Sequence, residues 1–272
     1  MEKMINKPLA GTFRWLRMGA AKVELKEEPK EKVIEVKEGQ KETLVIDNED
    51  ALLAIKAVLS KDASLDLIQI SEANEEALKV ADIRVSCKDN ASFHWYRLVL
   101  GGEKTYDNCS VSLEGKNSSF SADIAYSLDN EELYDVNCEA IHTGKNTSSD
   151  IKTSGVLDGN AKKIMRGTID FRKGSSASVG NEMEDVLLLS SKVHNQSLPV
   201  ILCAEEDVEG NHGATIGRPD EKILYYMGSR GIDEKEAIGL LADAKLFAVI
   251  NKIPSEDLKE ALMKRIGKKH GI

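Results

Sequence analysis

A mainly β chain with a helical C-terminal end is predicted by three features of the sequence. Short runs that alternate apolar and polar residues, or that are compactly apolar, recur from Leu65 to Ile216. Turn clusters such as KDNAS, LGGEK, EGKNSS, TGKNTSSD, LDGNAK and RKGSSASVGN separate them. After Gly217 the apolar spacing changes from two to the three-and-four pattern of a helix. Many short strands at near-regular spacing mean a sandwich, a barrel or a solenoid. Small and polar turn residues and short runs favour a solenoid, whose coils bury a face only by stacking on neighbours. No strict period is legible, so residue pattern alone leaves sandwich and solenoid open.

Taken in order, residues 1–64 read as an N-terminal arm, a connector and a short helix. The arm, NKPLAGTFRWLRMGA, is expected to dock through Phe13 and Trp15. The charged connector from Lys22 to Glu42 leads into short strands at Val33–Val36 and Thr43–Ile46. A helix is then predicted, capped by Asp47 or Asn48 and lined on one face by Leu52, Ile55 and Leu59. Residues 65–217 form the β core. Its predicted strands are Leu65–Ile70, Ile83–Cys87, Phe93–Leu100, Cys109–Leu113, Phe120–Tyr126, Leu133–Ile141, Ile151–Leu157, Ile164–Phe171, Val186–Leu189 and Val200–Ala204.

Residues 218–272 form a helical region. Pro219 and early acids start a helix that reaches Met227, and Gly228 and Gly231 bracket a turn. Asp233 with Glu236 makes a capping pair, after which Ala237, Leu240, Leu241, Ala244 and Ala248 are expected to line the buried face. Pro254 and Ser255 separate a last helix, which Gly267 is expected to end.

Composition narrows the function classes. A formal charge of −9 argues against nucleic-acid binding, which needs clustered Lys and Arg. Acids and bases nearly balance after Gly217, so the excess negative charge belongs to the β region. Aromatic residues make up only 5%, which disfavours base-stacking and sugar-binding platforms. No run approaches the ~18 apolar residues of a membrane span, and the first twenty residues lack a signal-type apolar stretch, so a cytoplasmic location is expected. The N-x-S/T matches at Asn90, Asn108, Asn117, Asn146 and Asn195 then read as by-products of Asn- and Ser-rich turns. Cys87, Cys109, Cys138 and Cys203 are widely separated and read as free thiols. Neither LGGEKT nor LDGNAKK satisfies the P-loop pattern, so ATP use would have to come from a partner.

Several segments closely resemble a known family. They are HTGKNTSSDIKTSGVLDGNAKKIMRGTIDF, SSKVHNQSLPVI and EDVEGNHGATIGRPDEKILYYMGSRGIDEKEA, with PLAGTFRWLRM a weaker match. Together they resemble the SufB/SufD family, scaffold proteins of the SUF iron–sulfur cluster assembly system. The resemblance implies a right-handed parallel β-helix core flanked by C-terminal helices and a short N-terminal arm or helix. It also implies a non-catalytic scaffold that pairs through the β-helix, with a SufB-like partner or with itself, and binds a SufC-type ATPase through the C-terminal helices.

In the family a cluster is held between two β-helices by a SufB cysteine and a SufD histidine. The histidine falls on His212; the cysteine position falls on Glu184, and Gly213 stands where SufB has Glu. Both departures make the chain SufD-like. No tightly bound cofactor is implied, only transient iron or an iron–sulfur cluster at a dimer interface. Tyr225, Tyr226, Arg230, Gly231, Ile232 and Ala237 are the expected ATPase-facing residues.

Other readings of these residues stand beside this one. His212 is either an imidazole ligand to iron or a turn histidine bonded to backbone. His142, flanked by Thr143, Thr147, Ser148 and Ser149, reads as structural, and Cys138 and Cys203 as core packing. A homodimer that assembles a cluster with its own thiols is a second function, and a β-helix carbohydrate enzyme using Glu182 and Glu184 a third.

Overall fold

The computed structural model describes residues 1–9, 18–47, 51–72 and 78–270, with side chains as far as Ile266. Two parallel sheets of seven strands face each other, and successive strands alternate between them. The odd sheet holds β3 (Lys30–Val36), β5 (Leu52–Leu59), β7 (Leu78–Cys87), β9 (Lys104–Leu113), β11 (Leu133–His142), β13 (Lys162–Phe171) and β15 (His194–Cys203). The even sheet holds β4 (Lys41–Asp47), β6 (Ser64–Glu72), β8 (Ser92–Leu100), β10 (Ser119–Leu128), β12 (Ser148–Leu157), β14 (Ser178–Leu188) and β16 (Val208–Gly217). Each coil therefore contributes one strand to each sheet, which is a parallel β-solenoid. The choice between sandwich and solenoid is settled in favour of the latter.

Alternation drives the winding. Alternate residues point into the bore and stack on equivalents one coil away, as Phe93 on Phe120, whose rings are parallel with centroids 5.6 Å apart. The core this builds runs from Val36 to Val186 and includes Leu53, Ile83, Trp95, Ile124, Cys138 and Met165. One corner of the coil needs a left-handed residue, and Asp62, Asn90, Asn117 and Asn146 supply it with φ of 57°, 55°, 60° and 56°. Their side chains form a ladder: Asn90 donates to Asp62 at 2.7 Å, Asn117 to Asn90 at 2.9 Å and Asn146 to Asn117 at 2.7 Å. The ladder partners are 28, 27 and 29 residues apart, so the coil length varies. Three of the N-x-S/T matches are rungs of this ladder.

The predicted helix after Asp47 is instead β5. Leu52, Ile55 and Leu59 fit a helical face, but Leu53, Ile55, Ala57 and Leu59 also alternate, and all four are buried in the bore. Pairing with β3 and β7 on either side stabilises the strand, which a local helix could not match. Asn48 lies outside the described residues. The stacking thus begins at Lys30, ahead of residue 65.

In the N-terminal arm, β1 (Glu2–Ile5) pairs antiparallel with β2 (Ala21–Glu24). Ile5, Val23 and Leu25 cover Leu52, Val80 and Tyr106 on the outer face of the odd sheet. Beside them Arg166 pairs with Asp135 at 2.6 Å and donates to the Met18 and Gly19 carbonyls, both at 2.8 Å. Phe13 and Trp15, expected to dock the arm, lie outside the described residues.

The helices are α1 (Glu221–Ser229), α2 (Glu234–Ile250) and α3 (Glu256–His270). Asp220 and Asp233 cap the first two by accepting from the amides of Lys222 and Glu236. The buried face of α2 is rotated from the expected one: Leu246, Val249 and Ile250 pack on Ile68, Ile70, Tyr96, Leu98 and Ala125 of the even sheet. Leu240, Ala244 and Ala248 remain exposed. Lys245 bonds Asp185, Lys252 bonds Asp123, and Arg265 bonds both Asp47 and Glu72, which holds the helices to the solenoid. The last helix passes Gly267 and runs on to His270.

Candidate functional site at the last coil and first helix

The solenoid ends on β15 and β16, each the edge strand of its sheet. Most of β16 is exposed because no further coil stacks on it. His212 lies in the middle of β16, is exposed, and is in register with Glu182 of β14. Gly210, two residues earlier, faces the bore, since a Cβ there would contact Ile201 and Phe171. By alternation His212 belongs to the same inward column, at the open mouth of the bore.

Beneath it is a charged cluster. Glu182 and Glu184 are each 5% exposed, and Lys163, across the bore, is fully buried. The Lys163 ammonium bonds the Glu184 carboxylate and the Ser197 hydroxyl, the latter at 2.9 Å. Glu182 makes no such pair, and its Oε2 is buried with no hydrogen-bond partner. Burial, reinforced by the neighbouring Glu184 and opposed by Lys163, pushes the Glu182 carboxyl up to about 7. Burial lowers Lys163, against the pull of Glu184. The carboxylates are thus inside the solenoid, where a polysaccharide chain cannot reach them, so the paired-acid reading gains no support. The sequence does not single out Lys163, because KK pairs are common on surfaces; its inward position follows only from the register of β13.

The thiols do not gather. Cys87, Cys109 and Cys138 are free thiols buried in the core, as core packing was expected of Cys138. Burial pushes Cys87 up to about 12, and burial plus a hydrogen bond with Cys138 raises Cys109. Cys203 departs from expectation: it is exposed at the end of β15, and its Sγ donates to the Glu205 carbonyl at 3.0 Å. No following coil stacks over it. His142 is fully buried between Thr147 Oγ1 at 2.7 Å and Ser149 Oγ at 2.9 Å, with Phe171 beside it. Desolvation lowers it to about 4, so it is a neutral core residue. Among the described residues no three His, Cys, Asp or Glu side chains converge as a metal-binding group.

Beyond β16, α1 is folded without a single buried residue. Tyr225 is 82% exposed and Tyr226 58%, and the Arg230 guanidinium lies 5.3 Å from the Tyr226 ring centroid. Gly231, at φ 88°, allows the chain to turn back into α2. Glu221, Leu224, Tyr225, Gly228, Gly231 and Ile232 line a groove of about 500 Å³. Of the expected partner-facing residues, Tyr225, Tyr226, Arg230 and Gly231 are exposed and Ile232 is half-buried. Ala237 is not on this surface: it is fully buried in the first turn of α2, facing inward.

Fold and site together define a β-solenoid protein whose accessible groups lie on an uncapped last coil and an unpacked helix. The same class emerges from comparison with known proteins. Residues 21–245 match the SUF system FeS cluster assembly, SufBD core domain family. The iron–sulfur cluster assembly protein SufD of Bacillus subtilis (strain 168) is 34% identical over 139 residues, which are 51% of this chain and 32% of that protein. A SufBD family protein of Staphylococcus epidermidis is 24% identical over 204 residues, 74% of this chain and 43% of that protein. A chloroplastic SufBD family protein of Arabidopsis thaliana is 26% identical over 168 residues, 62% of this chain and 30% of that protein. The chain belongs to the SufB/SufD family and lies close to SufD. It spans between about a third and just under half of the length of these relatives. Among the described residues no helix is long and apolar enough to cross a membrane.

Proposed function

We propose that this chain is a non-catalytic scaffold component of a cytoplasmic SUF complex. It dimerises through the open end of its solenoid, with a SufB-like protein or a second copy, and takes a SufC-type ATPase on α1 and the adjoining face of α2. The observation that carries the reading is α1 itself. A nine-residue helix with no buried side chain has little to hold it folded in water, yet it presents Ile223, Tyr225 and Tyr226 outward. Tyrosine and arginine are the side chains that most often anchor protein interfaces. Leu240, Ala244 and Ala248 extend the apolar area along α2. Edge strands β15 and β16 offer unpaired backbone groups to a second solenoid. His212 at that mouth serves as a ligand to iron or a cluster passing through as cargo.

Co-purification with the ATPase tests the docking face. Replacing both anchors, Tyr226→Ala with Arg230→Ala, should weaken the complex at least a hundredfold, about 2.7 kcal/mol or more, while leaving the far-UV spectrum unchanged. Full binding by the double variant would rule out this face.

A further inference from the structure

One inward column of the even sheet runs Trp95, Ala122, Ile151, Glu182, His212, each residue in register with the next one coil on. Trp95, Ala122 and Ile151 are fully buried and apolar. The column changes character only at its last two positions, where it offers a carboxylate and then an imidazole. The buried Lys163 attracts the Glu182 carboxylate through space without pairing with it directly. The Lys163 ammonium nearby is already bonded to Glu184 and Ser197.

Glu182 is nine-tenths buried and keeps Oε2 without a partner, a costly arrangement unless something else satisfies it. Gly167 opposite it clears the space, because a Cβ there would stand 2.1 Å from Glu182 Oε1. Neighbouring parallel strands are about 4.8 Å apart, so Glu182 and His212 start from backbone positions one strand spacing apart. That separation suits an imidazole nitrogen and a carboxylate oxygen converging on one ion at about 2.0–2.2 Å each.

We infer that Glu182 is the second ligand, beside His212, of a divalent first-row metal ion held at the mouth of the solenoid. A nitrogen and an oxygen donor fit ferrous iron or its neighbours in the series. Two donors make only half of a coordination sphere, and no third joins them among the described residues. The rest is left to the molecule that covers the mouth. The inference rests on the dimer and His212 readings above, and it adds this chain's own buried acid to the site.

Anaerobic titration of the full chain with Co²⁺, followed by its visible ligand-field absorption, tests the assignment. The native protein should bind, and both Glu182→Gln and His212→Ala should weaken binding at least tenfold. Glu209→Gln, at an exposed acid on the same strand as His212, should bind as the native protein does. Urea midpoints of the variants separate lost ligation from lost folding, and Glu182→Asp should recover part of the affinity if the carboxylate itself binds. Native-like binding by folded Glu182→Gln would overturn the inference, as would a native chain that leaves the Co²⁺ spectrum unchanged. Native mass of the same samples reports dimerisation separately, so a chain that dimerises without binding Co²⁺ keeps the scaffold reading and loses this one.

Discussion

At the scale of single residues, His142 shows how a histidine in a family motif can be structural. Its two ring nitrogens are satisfied by Thr147 and Ser149, and its folded-state value of about 4 lies below the ordinary 6.5. As pH falls below 6.5 the unfolded chain takes up the proton first, so this stability is complete above 6.5 and is lost as pH falls towards 4. The loss amounts to roughly 3 kcal/mol over that window. Urea unfolding at pH 7.5 and pH 5 should therefore show a larger acid loss for the native chain than for His142→Gln. Gly155 carries a second residue-scale prediction. A Cβ there would stand 2.2 Å from the Tyr126 ring in the preceding coil, so Gly155→Ala should cost about 1–3 kcal/mol in thermal or urea unfolding. Much at this scale was legible: the hydroxyls around His142 and the free, separated thiols can be read from spacing and context. Glu182 and Lys163 were not, because burial of a charged side chain is decided by register and by which coil comes next.

The elements were legible where a local signal and a tertiary demand agree. Turn clusters rich in Asn and Ser mark the corners of the coil, since Asn tolerates the left-handed conformation and its amide can bond the equivalent residue one coil away. Asn117→Gly should keep the backbone and lose only the ladder bonds, whereas Asn117→Ala should lose both. Alanine is expected to be the worse by about 1 kcal/mol in urea unfolding; equal losses would show that the ladder alone matters. Elements went unrecognised where the local pattern fits two periods. The Leu52–Leu59 segment satisfies both helix and strand spacing, and only flanking strands β3 and β7 decide between them. The buried face of α2 is ambiguous in the sequence for a related reason. That helix carries apolar residues on more than one side, and the sheet takes Leu246, Val249 and Ile250 while Leu240, Ala244 and Ala248 stay open. The second apolar stripe is the one assigned to the proposed docking face.

Across the whole molecule, the solenoid explains why the chain tolerates irregular coil lengths and charged residues in its bore. Each coil contacts only its neighbours, so a departure in one is absorbed locally. The same logic leaves the last coil unsatisfied on one side, with His212 and Cys203 exposed there and α1 projecting just beyond it. No strict repeat could be read from the sequence because equivalent corner residues are 27, 28 and 29 apart. The stronger SufB/SufD motifs, in contrast, were legible as contiguous segments of sequence, and they lie between His142 and Ala237, in β12, β13, β15, β16 and α1. This end of the molecule is proposed as a junction for two partners. Native mass spectrometry of the purified chain, alone, with a SufC-type ATPase and with a SufB-like protein, tests this proposal. The prediction is a dimer of the 29.9 kDa chain, with itself or with a SufB-like protein, that gains ATPase subunits on mixing. A species that stays at 29.9 kDa in both samples, with no uptake of a SufB-like protein when one is added, would contradict it.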